Sequence, residues 1–289
     1  MSTNRGIGYM SKTYTLNNHI EIPKLGYGTF QTPDDESGAQ AITKAIQLGY
    51  RHIDTAQSYR NEKSVGAAIK LANVAREELF ITTKIANSIN GFDNTINSLD
   101  ESLSHLGLDY LDLVLIHWPS PQRFRDQWQH RNSEVWRALE SYYAQGKIKA
   151  IGISNFRSHH IAELLKTATI LPSVNQIRLC PGDVDNETVE VCRKHDMLLE
   201  AYSPLAQGLI FENEVIKQIA DKYQKNPAQI ALKWSLQMGF LPLPKSVTVE
   251  RMHSNMDIFD FELDSNDVTL LTNLTGQCGL AKDPDSVPF

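Results

Sequence analysis

The stretch Leu79-Phe80-Ile81-Thr82-Thr83-Lys84 decides the fold, together with the apolar residues that follow it at Ile96, Leu99, Leu103 and Leu106. The first part is a short apolar run that suits a buried strand, and the second has the spacing of one helix face. The same order recurs where Leu113–His117 precedes a helix predicted over Val135–Gln145 and ended by Gly146. Such alternation implies a parallel sheet, because parallel neighbours need a long crossover connection.

Eight strand-like runs can be found along the chain, each followed by a helix or an inserted loop. They are Leu25–Gly28, Arg51–Asp54, Leu79–Lys84, Leu113–His117, Ile148–Ser154, Val174–Gln176, Leu198–Tyr202 and Leu241–Leu243. Eight such units predict an α/β fold, a closed (β/α)8 TIM barrel. The alternative is an open doubly wound sheet, which usually carries G-x-G-x-x-G after its first strand when it binds a dinucleotide. The segment GYGTFQ (26–31) lacks the third glycine and is interpreted as a barrel turn.

Length and composition predict one domain over residues 1–289, with residues 1–9, before a second methionine, as a flexible extension. The net charge is −6 and no basic cluster occurs, so we expect no nucleic-acid partner. No apolar run reaches the roughly 18 residues of a membrane span. The first ten residues do not resemble a secretory signal, which favours the cytoplasm. The three cysteines lack metal-ligand spacing, so we expect reduced thiols and no metal site.

Polar side chains stand at the end of nearly every predicted strand, where the chemistry of a barrel gathers. In chain order they are Asp54 with Tyr59 following, Lys84, His117, Ser154-Asn155, Gln176, Tyr202-Ser203 and Lys245-Ser246. Taken singly, each has a structural explanation: Asp54 could cap a helix, Tyr59 could pack in the core, and His117 could be a satisfied core histidine. Taken together, an acid, a phenol, an amine and an imidazole at one mouth form a proton-transfer site.

These four side chains suit the addition of hydride to a carbonyl group. A free phenol titrates near ~10, so it is too weak an acid at neutral pH without help. We expect Lys84 to lower the pKa of Tyr59, and Asp54 to hold Lys84 protonated, so that Tyr59 acts as general acid. His117 would donate a hydrogen bond to the carbonyl oxygen and stabilise its developing charge. No H-E-x-x-H or comparable ligand spacing points to metal-dependent hydrolysis instead.

Eight segments in a fixed order also carry a resemblance to a known family. They are LGYGTF (25–30), GYRHIDTAQSYRNEKSVGAAI (49–69), LFITTKI (79–85), LDYLDLVLIHWP (108–119), GKIKAIGISNF (146–156), VNQ (174–176), AYSPLAQG (201–208) and LPKSVTVERMHSN (243–255). They resemble the aldo-keto reductases, from about Thr13 to the C-terminus. The ending DPDSVPF resembles the subgroup of 2,5-diketo-gluconic acid reductases and microbial carbonyl reductases. The resemblance implies a barrel whose bottom is closed by a hairpin, here predicted from Tyr14–Leu16 and Ile20–Ile22, with loop insertions at its C-terminal face.

The resemblance assigns roles to individual residues. The catalytic tetrad would be Asp54, Tyr59, Lys84 and His117, with Tyr59 as acid and base. A nicotinamide cofactor would lie across the mouth, its carboxamide on Ser154, Asn155 and Gln176 and its ring on Tyr202. The other cofactor-binding positions would be Gly28, Thr29, Asp54, Ser203, Leu205, Lys245, Ser246, Val247, Thr248, Arg251 and Asn255. The loop 206–210 would fold over the pyrophosphate.

Cofactor preference and substrate contacts also follow from the resemblance. Lys245 and Arg251 offer charge-assisted hydrogen bonds to a 2′-phosphate, which implies NADPH or NADP+ in preference to NADH, although Ser254 replaces the glutamate of many members. Substrate would contact Phe30, Tyr59, His117 and Trp118, and the C-terminal tail 276–289 would shape the mouth. The insertion predicted over 120–133 carries Arg123, Arg125 and Arg131, which could favour anionic substrates or form a solvated charged loop. For the departure Arg178-Leu179-Cys180-Pro181 the sequence offers no physical account.

The function expected from residues and resemblance together is NADPH-dependent reduction of small aldehydes and ketones to alcohols, also run in reverse. We expect a monomer that acts on a small-molecule carbonyl substrate. Two alternatives stay open: a non-catalytic NADPH-binding sensor, and a lyase or aldolase in which Lys84 forms a Schiff base.

Overall fold

The computed structural model describes residues 12–289, and the expected extension at 1–9 lies outside them. The described chain opens with an antiparallel hairpin of β1 (Thr13–Thr15) and β2 (Glu21–Pro23). The parallel strands that follow are β3 (Gly26–Gly28), β4 (His52–Asp54), β5 (Phe80–Ile85), β6 (Leu111–Ile116), β7 (Ile148–Ser154), β8 (Val174–Arg178), β9 (Leu198–Tyr202) and β10 (Leu241–Leu243). Each predicted strand is therefore present, with its ends shifted by two residues at most.

Helices connect the strands and cover the outside of the sheet. They are α1 (Glu36–Leu48), α2 (Glu62–Ala72), α3 (Phe92–Leu106), α4 (Trp128–Ala144), α5 (Ser158–Leu164), α6 (Asn186–Lys194), α7 (Glu214–Tyr223), α8 (Pro227–Gln237), α9 (Val249–Met256) and α10 (Ser265–Thr272). Gly146 follows the end of α4 with a φ of 72°, which glycine adopts without strain. In the part of the chain that the structure describes, no helix has the length and apolar character needed to cross a bilayer.

The sheet closes on itself as a barrel. Its strands follow chain order from β3 to β10, and all neighbours in this order are parallel. The two ends meet where Gly28 N donates a hydrogen bond of 3.1 Å to Pro244 O. A Cβ on Gly26 would lie 2.3 Å from Leu243 Cδ2, so a side chain at this position would have to displace that of Leu243. The (β/α)8 barrel is thus confirmed, and the doubly wound alternative is wrong because the strand order contains no reversal.

The barrel interior is filled in layers by residues that alternate along each strand. At the bottom, Leu16 and Ile22 of the hairpin segment enter a buried apolar cluster. Its strand members are Phe80, Leu113, Leu115, Ala150, Val174, Leu241 and Leu243. The hairpin therefore seals this end of the barrel, as the resemblance implied.

The segment after His117 differs from the predicted insertion over 120–133. A short 3-10 helix spans Gln122–Gln127, and α4 begins at Trp128 instead of at the predicted Val135. The first turns of α4 carry polar residues on their buried face, so they lack the apolar spacing from which a helix is predicted.

Arg131 explains why that face is polar. Its guanidinium is buried and donates to the carbonyl oxygens of Ile89 at 2.9 Å, Trp118 at 3.2 Å and Ala86 at 3.3 Å. Both expectations for Arg131, contact with anionic substrates and a solvated loop, are wrong. The side chain instead ties α4 to the two loops that precede it.

Candidate active site

The alternation of the strands brings the predicted residues to the end of the barrel opposite the hairpin. Phe80 belongs to the interior cluster, so Lys84, four residues further along β5, faces the same way. Leu115 is also an interior residue, and His117 follows it two positions later. Asp54 ends β4 beside them and is almost wholly buried.

Lys84 is the centre of the tetrad. Its Nζ donates to both carboxylate oxygens of Asp54 at 2.7 Å, to Thr55 O at 2.9 Å and to the Tyr59 hydroxyl at 3.3 Å. Complete burial by itself would lower the pKa of Lys84, but the charge of Asp54 and the hydroxyl of Tyr59 outweigh it and raise that pKa above its usual value. Lys84 is therefore held as an ammonium ion.

Tyr59 lies on a short 3-10 helix, Gln57–Tyr59, directly after β4. Its ring packs between Phe30, with centroids 5.1 Å apart, and His117, at 5.7 Å. Burial raises the pKa of Tyr59 above its ordinary value, and the opposing effect of Lys84 is smaller. Lys84 lowers this pKa, as expected, but desolvation of the phenolate outweighs the nearby ammonium ion, so the net shift in the cofactor-free protein is upward.

His117 completes the tetrad as a neutral imidazole. Burial, followed by the charges of Lys84 and Arg131, holds its pKa well below the usual range. Its Nδ1 is buried without a hydrogen-bond partner among the described residues. A neutral imidazole at this place can donate one N–H to an oxygen at the mouth without bringing a positive charge.

A second group of residues forms a connected network beside the tetrad. Ser154 Oγ donates to Gln176 O at 2.7 Å, and Asn155 Nδ2 donates to Ser154 Oγ at 3.1 Å and to His117 O at 2.9 Å. The Tyr202 hydroxyl donates to Asn155 Oδ1 at 2.8 Å. The residues expected to hold the nicotinamide are therefore brought together.

Backbone conformation marks the same region. Asn155, Ser203, Ala206 and Gln207 have φ values between 49° and 62°, in the left-handed region that non-glycine residues rarely adopt. Leu205 precedes a 3-10 segment, Ala206–Phe211, which includes two of these four residues. Such conformations cost of order 1–3 kcal/mol each and cluster at functional sites.

Gly28 and Thr29 support Asp54 from the neighbouring strand. Gly28 lies opposite Asp54 in the register of β3 and β4, and Thr29 donates to Asp54 O from both N and Oγ1, at 2.9 and 3.0 Å. Buried Asn61 in turn donates to Thr29 O at 2.8 Å and accepts from Thr55 Oγ1 at 2.9 Å. Sequence reasoning missed Asn61, because a single asparagine before a helix looks like an ordinary cap.

The remaining expected cofactor residues lie in the segment before α9 or on α9 itself, with Arg251 in its first turn and Asn255 near its end. Lys245 and Arg251 are exposed and form no ion pair among the described residues, while Ser246 and Asn255 are buried. Val247 and Thr248 are exposed between them. Ser254 accepts a hydrogen bond from Asn226 at 2.7 Å and so supports α8. Two unpaired cations at a helix start suit an anionic group.

Aromatic side chains line the mouth. The Phe30 ring is 53% exposed and covers Tyr59, so it can reach a substrate. Trp118 is 8% exposed and packs edge-on against Phe289 with centroids 5.2 Å apart. Trp118 and the tail residue Phe289 therefore form one wall of the mouth together.

Arg178 fastens the tail 276–289 to the barrel. It ends β8, forms an ion pair with Asp183, and donates to the carbonyl oxygens of Cys278 at 2.6 Å and Gly279 at 3.3 Å. The unusual run that begins at Arg178 thus has a structural reason.

Two further contacts hold the end of the tail. Arg125 donates to Val287 O at 2.6 Å, and buried His160 contacts Asp285 at 2.9 Å. Arg125 is therefore engaged with the backbone and does not serve as a solvated charge, whereas Arg123 lies over the ring of Phe124.

Comparisons with known proteins agree with this geometry. The family model described as Aldo/keto reductase family matches residues 24–275. Glyoxal reductase of Bacillus subtilis is 44% identical over 280 residues, covering 97% of this chain and 99% of the relative. An aldo/keto reductase structure from Brucella melitensis superposes with a TM-score of 0.85 at 42% identity, covering 91% of this chain and 98% of that one. The Bombyx mori aldo-keto reductase AKR2E4, in complex with NADP, gives a TM-score of 0.84 at 32% identity, covering 92% and 93%.

A barrel that carries a Tyr–Lys–Asp group at its mouth, with Lys84 and Asp54 buried and Tyr59 half-buried, is typical of one class of oxidoreductases. The chain belongs to the aldo/keto reductase family.

Proposed function

We propose that the protein reduces small aldehydes and ketones with NADPH, and that Tyr59 supplies the proton. The observation that carries this proposal is the contact of 3.3 Å between the Tyr59 hydroxyl and a Lys84 ammonium ion that is itself paired with Asp54. The same site would serve alcohol oxidation, because a proton donor in one direction is the acceptor in the other.

The residues present fit a phosphorylated nicotinamide cofactor. Ser154, Asn155 and Gln176 offer carboxamide-binding groups beside Tyr202, and Lys245 with Arg251 would hold the adenosine phosphate. The relative from Bombyx mori binds NADP, which supports the same cofactor here. When bound, the reduced nicotinamide supplies the hydride that reaches the carbonyl carbon.

The chain's own groups supply the proton and fix the oxygen. Tyr59 enters the reaction protonated, because burial raises its pKa. As the carbonyl oxygen becomes negative, the Tyr59 hydroxyl transfers its proton to that oxygen, and the Lys84 ammonium stabilises the phenolate that remains. The neutral His117 ring donates a hydrogen bond to the same oxygen and holds it in place.

The mouth suits uncharged carbonyl compounds. Phe30, Trp118 and Phe289 give it aromatic walls, and Arg131 and Arg178 are engaged with backbone carbonyls. The relative from Bacillus subtilis carries the name glyoxal reductase, which supports small 2-oxoaldehydes as the first substrates to test.

The two alternatives make different predictions. Lys84 is wholly buried and paired with Asp54, so it is a poor Schiff-base amine. Borohydride should therefore trap no stable Lys84 adduct with a carbonyl substrate. A cofactor sensor would not need the assembled Tyr59, Lys84 and His117.

A substrate panel tests the proposal. Glyoxal, methylglyoxal, simple aldehydes, 2-oxo esters and oxo-sugar acids should be followed by loss of NADPH absorbance. We expect turnover with at least one 2-oxoaldehyde. Tight NADPH binding without turnover across the panel would support the sensor alternative and overturn the proposal.

A further inference from the structure

A second buried carboxyl group lies beneath the tetrad and takes no part in the mechanism described above. Glu200 is on β9, two residues before Tyr202, and its side chain is fully buried inside the barrel. One carboxyl oxygen, Oε2, accepts from Gln176 Nε2 at 2.7 Å. The other, Oε1, has no hydrogen-bond partner among the described residues. A carboxyl group buried in this way is costly to ionise.

Gln176 joins Glu200 to the tetrad. Its Nε2 donates to Asp54 Oδ2 at 2.9 Å as well as to Glu200 Oε2. Both amide hydrogens are therefore used, and the orientation of the amide is set because its NH2 group must point at two carboxyl groups. The amide oxygen is left as the acceptor that a carboxamide could use.

Few charges face Glu200 from the surrounding elements. On β8 it meets the neutral amide of Gln176, and on β10 it lies beside Leu241. Across the barrel, β4 contributes His52, with Nε2 3.9 Å from Glu200 Oε1, and Asp54, while β5 contributes Lys84. Burial lowers the pKa of His52 to about 3, so this ring is neutral. Asp54 and Lys84 are then the nearby charges.

We propose that Glu200 is a positioning residue for carbonyl reduction: its neutral carboxyl group orients the Gln176 amide and leaves Asp54 as the single negative charge that faces Lys84. This proposal rests on the proposed function. Burial, and then the charge of Asp54, raise the pKa of Glu200 to about 8, which agrees with a neutral group at pH 7.

Ionisation of Glu200 would oppose proton transfer from Tyr59. A second carboxylate beneath Asp54 disfavours the phenolate that Tyr59 must become when it gives up its proton. Reduction should therefore weaken as Glu200 loses its proton, before Tyr59 itself ionises. This effect differs from a loss of packing, because it depends on pH.

The test is the pH profile of kcat/KM for reduction in the wild type and in Glu200→Gln, with exposed Glu190→Gln as the matched control. The glutamine keeps the shape and the acceptor but does not ionise. We expect the wild type and the control to lose about tenfold in kcat/KM from pH 7 to pH 9, as for a group that titrates near 8. Glu200→Gln should change less than about twofold. The same inflection in Glu200→Gln would overturn the proposal.

NADPH affinity gives a second measurement that does not depend on turnover. Glu200→Leu removes the acceptor, so the Gln176 amide can rotate, and we expect NADPH binding to weaken several-fold while Glu200→Gln stays near the wild type. Equal affinity in all three proteins would contradict the positioning role.

Urea unfolding tests the neutral state of Glu200 independently of the proposed function, because the measurement requires no enzymatic activity. A buried acid with a raised pKa stabilises the folded protein fully at low pH, and that contribution is lost as pH rises from about 4.5 to about 8. Relative to Glu200→Gln, the wild type should become less stable across this range. Parallel curves would contradict a neutral Glu200, whereas a wild type that turns over no carbonyl would refute only the proposed function.

Discussion

The buried cation Lys84 determines the electrostatic environment of the residues around it. It lies within hydrogen-bond distance of Asp54 and Tyr59, and its charge also helps to keep His117 neutral. Tyr59 is protonated at neutral pH, yet its phenolate would form beside an ammonium ion. The site thus combines a stable proton with a stabilised conjugate base.

Tyr59→Phe tests the role of the phenol. The change removes the proton donor but keeps the ring against Phe30, so NADPH affinity should stay within about twofold while kcat for reduction falls by roughly 10²–10⁴. Stopped-flow measurement of hydride transfer, together with fluorescence titration of NADPH, would check both statements. Near-normal turnover in Tyr59→Phe would exclude Tyr59 as the acid.

The four side chains that the sequence singled out lie together in the structure, but the sequence did not predict their electrostatic balance. Polar side chains at strand ends identified Asp54, Lys84 and His117, because strand ends can be found from apolar runs. The degree of burial of each side chain cannot be found from apolar runs. Burial is what reverses the expected pKa shift of Tyr59. Glu200 was overlooked inside an apolar strand, although its two-residue spacing from Tyr202 was a usable signal.

At the scale of elements, we expect the start of α9 to discriminate between NADPH and NADH. Lys245→Met should weaken NADPH binding by roughly 10–100-fold, because a charge-assisted contact to a dianion contributes about 1.5–3 kcal/mol. NADH binding should change little, as it lacks the 2′-phosphate. The exposed Lys194 on α6 provides the matched control, Lys194→Met. Equal losses for both cofactors would reject the phosphate contact.

The position of the tail 276–289 depends on Arg178. Arg178→Met removes two hydrogen bonds to tail carbonyls and leaves Asp183 without its cation. We expect substrate KM to rise several-fold, with a smaller change in kcat, and the free energy of unfolding to fall by about 1–3 kcal/mol. Arg137→Met, on the exposed side of α4, is the control. Unchanged KM would show that tail position does not affect the mouth.

Element boundaries show where sequence patterns stop being informative. Most strands were found because they contain short apolar runs, and α8 because Asn226 and Pro227 mark its start. The first turns of α4 were missed, since Arg131 and Asn132 face inward there and satisfy backbone carbonyls. A buried polar residue and a solvated one look the same in a sequence.

At the scale of the whole molecule, packing where the barrel closes between β3 and β10 depends on Gly26. Gly26→Ala would place a Cβ 2.3 Å from Leu243 Cδ2 and 2.7 Å from His52 Nδ1, so these two buried side chains must shift. We expect the free energy of unfolding to fall by about 1–3 kcal/mol. Gly28→Ala, whose nearest contact would be 3.4 Å, is the control and should cost less. Urea unfolding without cofactor measures both, and equal losses would contradict a tight seam at Gly26.

The hairpin at the base has a kinetic consequence. Leu16 and Ile22 block one end, so both reactants must enter and leave through the same opening. A dinucleotide that spans this opening would lie between the solvent and the deepest polar groups. The smaller reactant could still pass beside the bound dinucleotide. We therefore expect a compulsory sequence of events, in which the larger molecule arrives first and departs last.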